Sequence, residues 1–280
     1  MAQATSPVAT PFPSPELRRD LMNGLGLLAA GANVVMQLAR LEIGHGVARS
    51  RVESGSLTRH PFKRTRTTLG YVTIALLGTD EERLALRREV NRQHRHVRSR
   101  PEDPVAYDAF DPELQLWVAA CLYRGTLDAL GLVGEPSETR LDELYRLSAR
   151  FATTLQVPAS RWPADRAAFE AYWASALQRT SMDELTRRYL WDIASLRFVP
   201  RPLSTLAGPL HRVLTAGFLP AEIREELGLA WNPARARLFS VTIRVARGVN
   251  ARLPTPLRAF PLNLALWDAR RRLRSGRSFV

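Results

Sequence analysis

Two histidines one residue apart, His94 and His96, lie in the stretch VNRQHRHVRS at 90–99. A neutral imidazole can be a metal ligand, a general base or a hydrogen-bonded core group, and the face it occupies decides which. Upstream, Thr79-Asp80-Glu81-Glu82 has the pattern of a capping box and predicts a helix from 80 to about Val97. On that helix Leu86, Val90, His94 and Val97 fall at i, i+4, i+8 and i+11 and share one stripe, while Arg88, Arg92 and His96 fall on another. The spacing therefore turns His94 inward and His96 to solvent. Periodicity alone favours a hydrogen-bonded core histidine over a ligand, and any partner of His94 must come from elsewhere in the chain.

The second concentration of chemistry is HPFKRTRTTLGYVTIALLGT at 60–79. Lys63, Arg64 and Arg66 sit among threonines directly before an uncharged apolar run, 69–77. One reading is a loop whose arginines reach solvent or pair with Asp80 or Glu81. The other is an anion site, with carboxylates or phosphates held by Lys63, Arg64 and Arg66. The residues themselves leave both open.

The elements that must position these groups read as helices. Asp111-Pro112-Glu113 places an N-cap, a proline at the first helical position and an acid in the first turn. The helix that follows, ELQLWVAACLYRGTLDAL, is apolar on most sides and so is expected at the centre. An amphipathic helix over 139–155 ends before Pro158, and further helical patterns cover 165–177, 182–194, 219–229, 232–253 and 261–274. Alternating strands, hairpin dipeptides, internal repeats and later linkers are not evident. The expected fold is all-α, a single multi-helix domain of about ten helices over 16–280, after a Pro/Ser-rich tail, 1–15, that reads as disordered.

Composition narrows the function classes. The lone cysteine, Cys121, rules out an internal disulfide, and no His/Cys cluster suggests a structural zinc. Neither GxSxG nor HExxH occurs, so a serine-type or metal hydrolase finds no support. The formal charge is +13, carried by arginine apart from Lys63, with a dense run at Arg270, Arg271, Arg272, Arg274 and Arg277. Such a balance suits an anionic cofactor, an anionic membrane surface or nucleic acid, but no nucleic-acid motif stands beside the charge. The apolar stretch 25–39 is short for a membrane span and contains Asn33 and Gln37. Arg18-Arg19 ahead of it can mimic a twin-arginine export signal; the Pro-rich start and helical continuation favour a buried core helix and a cytoplasmic protein.

Taken in order, KRTRT (63–67), YVTIALLGTDEERLALRREVNRQHRHV (71–97) and VAYDAFDPELQLWVAACL (105–122) resemble the oxygenase family of MpaB-like proteins and rubber oxygenases (latex clearing proteins). LTAGFLPAEIREELGL (214–229), the C-terminal LRAFPLNLALWDARRRLRSGR and the apolar residues 25–47, similar to the family's first core helix, extend the likeness over roughly 20–277. No single motif is highly specific; order and spacing make the match.

The resemblance implies an all-α, remotely globin-like fold holding haem b, and O2-dependent cleavage of carbon–carbon double bonds in isoprenoid chains. Its H-x-x-V motif falls on His94 and Val97, making His94 the implied iron ligand. Its R-x-x-K-T motif reads Lys63-x-x-Arg66-Thr67. Arg66 and Thr67 are then expected as catalytic donors to dioxygen, Lys63 and Arg64 as partners of the haem propionates, and Trp117 with Leu114 and 69–77 as apolar walls. The second nitrogen of His94 is expected to donate to a carbonyl or carboxylate. Arg66 replaces the family's lysine, Ala119 stands where many relatives have histidine, and no glutamate appears over 46–52, where Arg49 and Arg51 stand instead. The expected function is a haem b-dependent oxygenase acting with O2 on a hydrophobic, unsaturated, isoprenoid-like substrate, with peripheral contact to anionic membrane through the C-terminal arginines and no nucleic acid. A non-catalytic haem protein for sensing or storage, and a basic helical module binding anionic lipid or nucleic acid, are the alternatives.

Overall fold

A computed structural model describes residues 12–49 and 60–277. Among these, the regular structure is all helix, with no strand and one isolated bridge between Arg98 and Asp108. The helices are α1 (Pro15–Leu21), α2 (Ala30–Leu38), α3 (Leu41–Ala48), α4 (Pro61–Leu77), α5 (Asp80–His94), α6 (Pro112–Val133) and α7 (Glu138–Thr154). They continue as α8 (Arg166–Leu177), α9 (Glu184–Ala194), α10 (Arg201–Phe218), α11 (Ala221–Glu226), α12 (Pro233–Arg252), α13 (Thr255–Arg258) and α14 (Leu262–Arg274).

Local chemistry starts these helices. The side chains of Ser14, Thr79, Asp111, Ser137, Asp165, Asp183 and Asn232 each accept a backbone N–H of the first turn they precede. At Thr79 the capping box is complete: its hydroxyl takes the Glu82 N–H, and the Glu82 carboxylate takes the Thr79 N–H. α6 is the central helix, with Trp117, Ala119, Ala120 and Cys121 wholly buried and α2 and α7 against it. Its length and apolarity would suffice to cross a membrane, but much of it is buried inside the fold. The Trp117 indole N–H donates to the carbonyls of Met36 and Gln37, at 3.1 and 3.2 Å, and its ring stacks on Trp173.

Several expectations change. The single helix expected over 25–47 is three pieces: a 3₁₀ turn over Gly24–Ala29, then α2, then α3. It breaks because Arg40 is extended and the Ala39 carbonyl accepts from Ser181 N–H instead of continuing a helix. The basic stretch 61–67 is no loop but the first two turns of α4, opened by Pro61. α5 stops at His94, three residues short of the expected end, and Val97 caps the turn through the His94 carbonyl. Of the tail expected over 1–15, Ser14 is held by both oxygens of the Glu143 carboxylate and Pro15 opens α1, while 1–11 lie outside the described residues.

Candidate functional site

A cavity of about 280 Å³ lies between α3, α4, α5 and α6, near the lower edge of the roughly 300–1,000 Å³ usual for small-molecule sites. Each helix contributes one face. α5 offers Val90, Gln93 and His94; α4 offers Arg64, Thr67, Thr68 and Tyr71; α3 offers Glu42, Ile43, Gly46 and Val47; α6 offers Leu114, Gln115, Val118 and Leu122. The spacing, i, i+3, i+4, i+7 along α4 and i, i+1, i+4, i+8 along α6, is in each case that of a single helical stripe. At Gly46 a side chain would begin 3.3 Å from the Tyr107 ring, so a larger residue would press into the cavity wall.

His94 ends α5 and faces this space, with Phe110 edge-on to its ring at 6.3 Å. Its Nδ1 is buried and has no hydrogen-bond partner, so the expected carbonyl or carboxylate donor relationship is absent. Burial first, and the positive charge of Arg64 second, push the imidazole down to about 4. At neutral pH His94 is therefore uncharged, the form that can ligate a metal. His96 is exposed and has no place in the cavity.

Arg64 is the cation of the site. Its side chain is exposed by accessible area, but the protein atoms packed around it partly desolvate the guanidinium and hold it below the usual arginine value, with the Tyr189 hydroxyl acting the other way. It makes no ion pair with a described carboxylate. Tyr71, also on the wall, donates to the Phe151 carbonyl at 3.0 Å, and the Gln115 amide donates to the Ala109 carbonyl at 2.7 Å.

The other expected residues are distributed differently. Thr67 is buried on the wall, but its hydroxyl donates back to the Lys63 carbonyl at 2.9 Å, which leaves it an acceptor toward the cavity. Arg66 does not line the cavity: its Nε lies 3.7 Å from Asp268 on α14, an aspartate that also receives Arg272 at 2.8 Å. Lys63 does not line it either, and Trp117 is core behind the wall. Leu114 is on the wall, whereas of 69–77 only Tyr71 reaches it. The carboxylate sought over 46–52 stands four residues earlier. Glu42 lines the cavity and makes no hydrogen bond or ion pair with a described residue. The signal was its place on the Glu42, Ile43, Gly46, Val47 face of one helix. Arg49 is exposed at the end of α3, and Arg51 lies outside the described residues.

These residues suit a haem better than a bare metal ion. Among the described residues no group of three or more His, Cys, Asp or Glu could hold an ion. A haem supplies four nitrogens itself and asks the protein for an axial ligand, a counter-charge for its carboxylates and apolar walls. The neutral His94 with its unpartnered Nδ1, the Arg64 guanidinium on the wall and the Val90, Leu114, Val118 and Leu122 surfaces match those three demands.

A family model described as "ER-bound oxygenase mpaB/B'/Rubber oxygenase, catalytic domain" matches residues 18–248. Two curated relatives, the uncharacterized protein Mb2261 of Mycobacterium bovis and the uncharacterized protein Rv2237 of Mycobacterium tuberculosis, are each 44% identical over 255 residues, which is 91% of this chain and 100% of theirs. No solved structure matches.

Proposed function

The chain belongs to the family of ER-bound oxygenase mpaB/B′ and rubber oxygenase catalytic domains, and on that premise we propose that it is a haem b-dependent oxygenase whose cavity takes a hydrophobic, unsaturated, isoprenoid-like substrate together with O2. The observation that carries this reading is His94: a neutral imidazole, turned into an apolar cavity, without a hydrogen-bond partner for its buried nitrogen, beside a cation that pairs with no acid among the described residues.

In this reading His94 would hold the haem iron, and its depressed pKa keeps it unprotonated and available across the neutral range. Arg64 would hold a propionate carboxylate, a group that a planar guanidinium suits. The haem, when bound, supplies the O2 chemistry. Leu114, Val118 and Leu122 on α6 and Ile43 and Val47 on α3 exclude water and align an apolar chain. Glu42, on the wall without a hydrogen-bond or ion-pair partner among the described residues, places a hydrogen-bond acceptor beside that chain. Thr67 accepts a hydrogen bond without being able to donate one, so the donor role expected of Arg66 and Thr67 does not pass to Thr67 as it stands.

Titrating the purified protein with haemin and reading the Soret band tests the ligand; an oxygen electrode with an unsaturated isoprenoid probe tests the activity. A Soret band without O2 uptake leaves a haem protein that senses or stores. No Soret band at all rejects the haem reading.

A further inference from the structure

α12 and the short α13 after it carry an apolar face that no described residue covers. α12 packs on α10 through one side only. Phe239 meets the Phe218 ring at 5.0 Å and the Trp231 ring at 5.9 Å, and none of the helix's residues is fully buried. On the outer side Leu238, Val241, Val245 and Val249 fall within about 80° of one another at 100° per residue, each between 44% and 59% exposed. α13 adds Leu257, and Phe260 follows two residues after its end, both 57% exposed.

The charge around that stripe is of one sign. α12 holds five arginines and no acid, and the chain after Trp231 has eleven arginines against the single acid Asp268. The C-terminal run is partly spent inside the fold: Arg270 pairs with Glu82, Arg272 with Asp268, and Arg271 lies over Trp267. On α12 the arginines meet no carboxylate among the described residues. Arg235 and Arg252 donate to carbonyls, and Arg237, Arg244 and Arg247 are exposed. A second copy of the chain is a poor occupant, because a two-fold contact would set these arginines against themselves. Nucleic acid would satisfy the arginines and leave the leucine and valines against phosphate.

We propose that the outer face of α12 and α13 docks on an anionic lipid bilayer, the apolar stripe entering the acyl boundary and Arg237 and Arg244 beside it meeting the headgroup phosphates. An exposed basic amphipathic helix has the chemistry of such an interface. The surface differs from the C-terminal run that composition alone suggests, and it does not depend on the haem reading.

The test is co-sedimentation of the full chain with phosphatidylcholine vesicles, with and without phosphatidylglycerol. Binding to the anionic vesicles at low salt and release at high salt is the expected result. Val241→Glu/Val245→Glu should lower partitioning on the order of tenfold, and Arg237→Gln and Arg244→Gln about fivefold each, with unchanged circular dichroism and melting. Cys121 is buried and is the only cysteine, so Val245→Cys accepts an environment-sensitive dye selectively; its emission should shift to the blue on anionic vesicles, while the same dye at the exposed Leu84 should not. No binding to phosphatidylglycerol vesicles, or binding that the double variant retains, overturns the proposal. So does a dimer in sedimentation velocity that the double variant dissociates, which would assign the stripe to a second copy.

Discussion

His94 and Arg64 share one cavity from consecutive helices, and the guanidinium adds to burial in holding the imidazole at about 4. α5 and α4 thus place a neutral imidazole and a guanidinium side by side.

Removing the imidazole should remove the cofactor. His94→Ala is expected to abolish the Soret band on haemin titration, while His96→Ala, a change at an exposed residue, leaves it unaltered. Equal behaviour of the two variants would reject the assignment.

Arg64 and Arg66 should separate cleanly. Arg64→Ala loses a charge-assisted contact that solvent partly screens, on the order of 1 kcal/mol, and should weaken haem retention about fivefold, with Arg64→Lys partly restoring it. Arg66→Ala loses a half-exposed ion pair to Asp268 and should change stability by about 0–1 kcal/mol with little effect on haem off-rate or O2 uptake. A large loss of O2 uptake in Arg66→Ala alone would return that residue to the chemistry.

Trp117 should prove structural. Trp117→Phe strands the Met36 and Gln37 carbonyls, at a cost of about 1–3 kcal/mol, read as a lower urea midpoint. The haemin titration per folded molecule should not change.

Asp128 on α6 gives a pH signature away from the cavity. Burial pushes its carboxyl up to about 7 from an ordinary 3.8, against the pull of Arg124. Between those values the folded state holds a proton that the unfolded state lacks, so its stabilising contribution is complete below about pH 4 and lost as pH rises through 7. Asp128→Asn should therefore be more stable than wild type above pH 7, by on the order of 1–3 kcal/mol, and level with it below pH 4. Urea denaturation at both ends of the range checks the sign.

Helix starts were legible because their determinants are local: Thr79 with Glu82, and Asp111 before Pro112, need only neighbours within one turn. The inward turn of His94 was legible for the same reason, since four-residue spacing puts it on the stripe of Leu86 and Val90. The break at Arg40 was not, because it depends on Ser181, far along the chain, taking the Ala39 carbonyl.

Sequence by itself determined the all-helical class, the family, and which histidine turns inward, all of which follow from short-range pattern and order. Only tertiary structure decided which cation joins that histidine. Arg64 and Arg66 lie two positions apart on α4, about 200° around the helix, so they must face different neighbours. Burial of α14 against α4 brings Asp268 to Arg66, and the gap between α3, α5 and α6 receives Arg64. The same long-range packing brought Glu42 to the wall and left the outer face of α12 uncovered, because which faces meet is settled by helices distant in sequence.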